Sequence, residues 1–120
     1  MYTIKSTELG EISVEKDVVE TIAGLATMEC YGLVGMVAHN IQAGLSNILG
    51  IDSIRKGVEV KKTEDGLIVD VHVIVGYGIP IAKVASNVMQ KVTHVLENNA
   101  AIPVAAVNVN VKGVKVLKDL

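Results

Sequence analysis

The segment Gly57 to Tyr77 constrains this chain more than any other. Gly57 to Thr63 and Leu67 to Tyr77 alternate apolar and polar residues around Glu64-Asp65-Gly66. An Asp-Gly pair between two alternating runs predicts a β-hairpin. With Asp65 and Gly66 as the loop, Val60 faces Val71 and Val58 faces Val73, while Lys61 opposes Asp70 and Glu59 opposes His72. Apolar pairs then share one face and opposite charges the other, the arrangement that cross-strand energetics favour.

A sheet with one valine face needs a covering layer, and the flanking sequence supplies it. Pro80 opens the strongest helical pattern. Ile81, Val84, Ala85, Val88, Val92, Val95 and Leu96 lie on one stripe, and Lys83, Asn87, Gln90, Lys91, His94 and Glu97 lie outside it. An earlier helix is predicted from Glu15 to about Glu29, with Val18, Ile22, Leu25 and Ala26 at helical spacing and acidic residues in its first turn. A weaker helical pattern joins Ile41, Leu45, Ile48 and Leu49 behind an Asn40 cap, and the stretch from Gly50 to Lys56 reads as loop. Leu9 to Val14 reads as a short strand after an alternating stretch at Tyr2 to Lys5. The last strand runs from about Val104 to Val116, with Val107, Val109 and Val111 inward. Past Gly113 its apolar phase shifts by one residue, which predicts a β-bulge at Lys112-Gly113.

The order β-α-(short α)-β-β-α-β predicts an α+β fold: a two-layer sandwich whose helices cover one face of a small, largely antiparallel sheet. Ferredoxin-like and KH-like strand orders both fit. At 120 residues the chain is expected to be one domain, residues 1–120.

Composition narrows the function. Half the residues are hydrophobic, a fifth are charged, and the net charge is −2. There is no Trp or Phe, and the three aromatics are Tyr2, Tyr31 and Tyr77. Nucleic-acid binding through stacking and a basic groove is therefore not expected; Lys112, Lys115 and Lys118 alternate with apolar residues as one side of a strand. Cys30 has no second cysteine to pair with, no apolar run reaches the ~18 residues of a membrane span, and the N-terminus lacks a signal peptide's apolar stretch. These features predict a cytoplasmic protein, with any membrane association peripheral.

Catalytic patterns fail on context. Cys30 falls at the C-terminal end of a helix, where the dipole disfavours a thiolate. His39, His72 and His94 fall on a loop, a strand and a helix without ligand spacing, so no metal is expected. Asp70 and His72 share a strand face, but each already has a cross-strand partner in the predicted register. Gly76-Tyr77-Gly78 suggests a dinucleotide fingerprint, yet Ile81 replaces the third glycine, Pro80 occupies the turn, Glu97 ends a helix, and a hairpin precedes the motif where a parallel unit is needed. Neither an enzyme nor a cofactor is expected. Two features remain. Ile68, Asp70, His72 and Ile74 form the strand face opposite the valines, a candidate interaction surface. Tyr31-Gly32-Leu33-Val34-Gly35-Met36 places two glycines around small apolar residues.

Gly10-Glu11-Ile12-Ser13-Val14, Val18 with Ile22-Ala23, Tyr31 to Met36, Lys56-Gly57-Val58-Glu59-Val60, Val75-Gly76-Tyr77-Gly78, Val84-Ala85 with Val88 and Gln90, and Val107-Asn108-Val109 occur in one order along nearly the whole chain. In this order they resemble the alkaline-shock (Asp/Gls) family of bacterial envelope stress proteins, of the short YloU-like type. The resemblance implies a non-catalytic cytoplasmic adaptor or scaffold, typical of Gram-positive bacteria, which supports envelope homeostasis and is held at the membrane by an anchoring partner in some members. It implies protein partners, with an accessory or regulatory role toward a neighbouring fatty-acid kinase or a small-ligand or lipid pathway as the alternative; a homo-oligomer is expected from self-association through the Ile68, Asp70, His72 and Ile74 face, and a KH-like RNA binder is the least favoured reading. The resemblance supplies no catalytic residues. Its motif loops here are Tyr31, Gly32, Val34 and Gly35, and Gly76, Tyr77 and Gly78.

Overall fold

The computed structural model describes residues 2–38 and 48–116. Its elements are β1 (Tyr2–Thr7), β2 (Gly10–Val14), α1 (Lys16–Met28), β3 (Leu33–Met36), a 3-10 helix (Ile51–Gly57), β4 (Val58–Thr63), β5 (Gly66–Gly76), α2 (Ile81–His94) with a π-turn (Val95–Asn99), and β6 (Val104–Lys115). The predicted helix around Asn40, Ile41 and Leu45 lies outside the described residues, as do His39 and Lys118.

β5 is the central strand. One edge pairs antiparallel first with β4 and then with β3, and the other pairs in parallel with β6. The α+β class holds, and the sheet is mixed. α2 connects two strands that are direct neighbours, an unsplit crossover, so the ferredoxin-like order is excluded. The predicted bulge is present: Val73 pairs with Val111 but Ile74 with Gly113.

The hairpin register differs from expectation by two residues. Val58 pairs with Val71, Glu59 with Asp70, Val60 with Val69, and Thr63 with Gly66, leaving Glu64 and Asp65 as the loop. The cause lies outside the hairpin. Leu67 N–H donates to Pro103 O at 2.9 Å, and a Cβ on Gly66 would lie 2.8 Å from the same oxygen. Gly66, at φ 126°, is therefore consumed as the first strand residue against β6. A slip of two keeps every side chain on its own face, so the apolar pattern cannot detect it. Glu59 now opposes an acid. Asn108 Nδ2 donates to Asp70 Oδ1 at 2.8 Å, and His72 Nε2 lies 3.9 Å from Glu59 Oε1.

Val58, Val60, Leu67, Val69, Val71, Val73 and Val75 form the core face of the sheet, against Val84, Val88, Val92 and Leu96 of the second helix and its π-turn. The α2 stripe is as predicted except at Ile81, which is exposed. On α1 the buried positions are Val19, Ala23, Gly24, Ala26 and Thr27, one residue around from the expected stripe; Val18 and Leu25 are exposed. Small residues win because Ile54 packs onto this helix, 3.0 Å from where a Cβ on Gly24 would stand. Leu33 to Met36, part of the first motif loop, is instead a strand, and the expected loop before β4 is the 3-10 helix.

β1 and β2 form a separate two-stranded sheet. Tyr2, Ile4 and Val14 at its base touch the core, whereas Ile12 is exposed and Leu9 at the tip is 101% exposed.

The face opposite the core carries a second correction. Ile74 is 0% and His72 7% exposed, and Ile68 and Asp70 are half-buried. Gly35 pairs with Ile74, and Ile48 Cγ2 lies 2.6 Å from where a Gly35 Cβ would stand, so Ile48 packs over this part of the face. Ile74→Lys should therefore destabilise the domain, as should Val92→Asp at a fully buried core position. Each introduces an uncompensated buried charge and should cost about 3 kcal/mol or more, lowering the melting midpoint by roughly 10 °C or more. Thermal melts followed by circular dichroism check both, with the exposed Gln90→Glu as a control that melts like wild type.

Candidate functional site: two tyrosine loops at one end of the sheet

β5 and β6 run parallel, so both end on the same side of the molecule, and β3 runs against them and so begins there. Gly76 N–H donates to Gly32 O at 3.1 Å, and Tyr77 N–H donates to Lys115 O at 2.8 Å. Three chain segments distant in sequence are thereby stitched together. Tyr31 and Tyr77, each next in sequence to one of the bonded glycines Gly32 and Gly76, are 80% and 72% exposed. Ile81, Val114 and Val116 add exposed apolar surface at the same end.

The glycines of these loops have separate tasks. Gly32, at φ 93°, sits where a Cβ would come within 2.8 Å of Val84 Cγ2 and 2.9 Å of Ile79 Cγ2, so the Tyr31 loop can rest on the start of α2 only with glycine there. Gly78, at φ 89°, has open space around it and is needed for backbone shape. Gly35 lies in β3 against Ile48, and Val34 is half-buried beside it at the register shift between Leu33 and Gly35. Of the motif residues, Tyr31, Gly32, Gly76, Tyr77 and Gly78 are thus brought together, while Val34 and Gly35 support the strand that carries the first loop. The Ile68, Asp70, His72 and Ile74 set does not make one open surface. Its Ile68 end is partly open, next to exposed Ala106 and Asn108, and its Ile74 end is buried.

Titratable groups along α1, α2 and its π-turn are engaged in structure. Cys30 sits between the first helix and the Tyr31 loop; burial pushes its thiol pKa up, Lys91 draws it down and Glu29 adds to the rise. Its S–H donates to Ala26 O at 3.6 Å. Glu29 is held by Lys91 at 3.2 Å, and exposed His94 Nδ1 lies 3.0 Å from Asn98 Nδ2. Glu97, which falls near the spacing of a ribose acid, accepts from Val104 N–H at 3.2 Å and so fixes the start of β6. The parallel unit that Gly76-Tyr77-Gly78 was expected to lack is present as β5-α2-β6. Pro80 and Ile81 still occupy the turn where the fingerprint needs a third glycine and a close phosphate approach. Among the described residues no group of three or more His, Cys, Asp or Glu side chains is placed to hold a metal ion.

Sequence reasoning did not find that the two loops abut, nor that β1 and β2 stand apart from the main sheet. The first depends on long-range pairing of β3. The second had a signal in Leu9, an apolar residue inside the polar turn Thr7-Glu8-Leu9-Gly10.

The fold is an α+β domain with exposed tyrosines on two adjoining loops at one end of its mixed sheet. The chain belongs to the alkaline-shock (Asp/Gls) family, described as having a cell envelope-related function, whose model matches residues 4–116. It is 37% identical over 111 residues to the uncharacterized protein YloU of Bacillus subtilis (strain 168), covering 92% of each chain. It is 34% identical over 119 residues to the uncharacterized protein Spy1614 of Streptococcus pyogenes serotype M6, covering 98% of each. It is also 31% identical over 111 residues to the uncharacterized protein YqhY of Bacillus subtilis, covering 92% of this chain and 82% of that one. No solved structure matches. Among the described residues no helix is long and apolar enough to cross a membrane.

The raised thiol pKa predicts low reactivity. Cys30 should react with a soluble aromatic disulfide several-fold more slowly than free cysteine at neutral pH, because less thiolate is present at any given pH, and the rate should climb only at more alkaline pH than for the free amino acid. A rate at neutral pH equal to or above that of free cysteine would contradict this environment.

Proposed function

We propose that this protein is a non-catalytic adaptor or scaffold of the bacterial cell envelope, acting in the cytoplasm by protein–protein interaction through the end of the sheet that carries Tyr31 and Tyr77. One observation carries the reading: two of the chain's three aromatic residues are spent on neighbouring solvent-exposed loops instead of the core. Tyrosine offers a large, rigid contact surface at low entropic cost, which is why it is enriched at interfaces and at their energetic centres. Glu29, the acidic residue beside the Tyr31 loop, is already committed to an ion pair with Lys91. The family's envelope-related description supports the cellular setting. The resemblance to short members of this family adds a membrane-anchored protein or a fatty-acid kinase as partners, and an accessory role to that kinase is the alternative within the same reading.

The test is complementation of a deletion strain under cell-wall-active stress, at matched protein abundance. Tyr31→Ser combined with Tyr77→Ser should fold normally, since both side chains are largely exposed, and should lose most of the rescue. Cys30→Ser and His94→Ala should rescue like wild type. Loss of rescue by either of these, with full rescue by the tyrosine pair, would replace the adaptor reading with a catalytic one.

A further inference from the structure

The molecule has two chemically different ends. Its Cα framework extends 59 × 24 × 24 Å. The base of the β1-β2 hairpin, at Tyr2 and Ile4, lines a cleft with Gly66, Leu67 and Pro103, at the start of β5. The tyrosine loops lie at the other end of that 11-residue strand, roughly 35 Å away at the rise of an extended chain. The hairpin points its tip into solvent at the first end.

That tip is built to be presented. Thr7 Oγ1 donates to Gly10 O at 3.2 Å and accepts from Leu9 N–H at 3.1 Å, so the turn is fixed by its own hydrogen bonds. Leu9 is fully exposed at its apex, with Glu8 and Glu11 beside it. An isolated two-stranded hairpin is marginally stable in water, and a pre-ordered apolar apex loses little entropy on docking. The far end has the complementary character: exposed tyrosine and valine side chains, with Lys83 in the first turn of α2 and Lys115 at the end of β6. Among the described residues no ion pair engages Glu8, Glu11, Lys83 or Lys115. An acidic tip with an apolar apex and a basic end with an apolar centre are matched in both respects, and separation along the long axis prevents them from meeting within one chain.

We propose that the β1-β2 tip of one copy docks, Leu9 first, between Tyr31 and Tyr77 of a second copy, with Glu8 and Glu11 facing Lys83 and Lys115. The contact is heterologous, since two different patches meet, so it propagates head to tail into open chains or closes into rings. The occupant is a second copy of this chain because both halves of the complement are on it. The inference rests on the reading of the tyrosine end as a docking surface and specifies what docks there.

Light scattering over a concentration series tests it with the full chain. Wild type should show a weight-average mass that rises beyond a dimer, and association should weaken at least tenfold in high salt. Leu9→Lys, which destroys the tip, and Tyr31→Ser with Tyr77→Ser, which destroys the socket, should each stay at the 12.7 kDa chain mass while melting like wild type. Mixed, these two variants should form a 1:1 complex and grow no further, because one retains the only intact socket and the other the only intact tip. A two-fold contact between like surfaces cannot give this result. A wild type that is monomeric throughout, association that survives Leu9→Lys, or variants that fail to combine would overturn the proposal. Complementation by the tyrosine variants is a separate readout: if they fail to rescue while wild type is monomeric, head-to-tail docking is wrong and the tyrosine end serves another partner.

Discussion

β5 is paired along both edges, in parallel with β6 on one side and antiparallel with β4 and then β3 on the other. The remaining architecture depends on that pairing. It satisfies the backbone of a strand whose side chains from Leu67 to Val75 are mostly buried, where an unpaired amide would cost about 1–3 kcal/mol. β3 ends opposite Val73 and β4 begins opposite Val71, so the segment between them leaves and returns at the same edge; from it Ile48 packs beside Gly35 on the Ile74 side and Ile54 of the 3-10 helix packs against Gly24 of α1. Because β6 is parallel to β5, its connection must be a crossover, which α2 and its π-turn provide. The same arrangement gathers the start of β3 and the ends of β5 and β6 at one pole and leaves the β4-β5 turn and the start of β6 at the other.

The core that covers this strand is made of valine, leucine, isoleucine, alanine and methionine. With no Phe or Trp to fill it, close approach of helix and sheet depends on small contacts such as Gly24 against Ile54 and Gly57 against Met36. Tyr31 and Tyr77 are left for the surface. Polar groups that could have formed a reactive cluster are distributed along the sheet and helix ends as structural ties: Asn108 to Asp70 across β5 and β6, Glu97 to the first residue of β6, and Lys91 to Glu29 between the helices.

Much of the fold was legible in the sequence where a local pattern and the tertiary structure agree. α2 declares its buried stripe at 3.6-residue spacing, and the shift of apolar phase at Gly113 announces the bulge that re-registers β6 against Ile74. The pattern fails where a distant contact chooses between local alternatives. The hairpin register depends on Pro103 approaching Gly66 from 37 positions along the chain, and an even slip is invisible to a period-two pattern. The stripe of α1 is displaced because Val18 and Leu25 look more core-like than Ala23 and Gly24, which are buried for their smallness. An exposed Ile74 requires a sheet bare on one side, whereas Ile48 returns to cover it. Of the site, the glycines and tyrosines were visible as motifs, but their meeting was not, because it needs the pairing of Leu33 with Val75, 42 positions apart.

Amide hydrogen exchange resolved to single residues, on the Leu9→Lys variant, tests most directly whether β5 is the strand on which the structure depends. The amides from Val69 to Val75 should exchange only through global unfolding, those of β6 that bond to β5 should follow them closely, and those of the β1-β2 hairpin should exchange orders of magnitude faster through local opening. Protection of the hairpin equal to that of β5, or exchange of β5 by local fraying while the helices stay protected, would contradict a domain organised around this strand with a separately held tip.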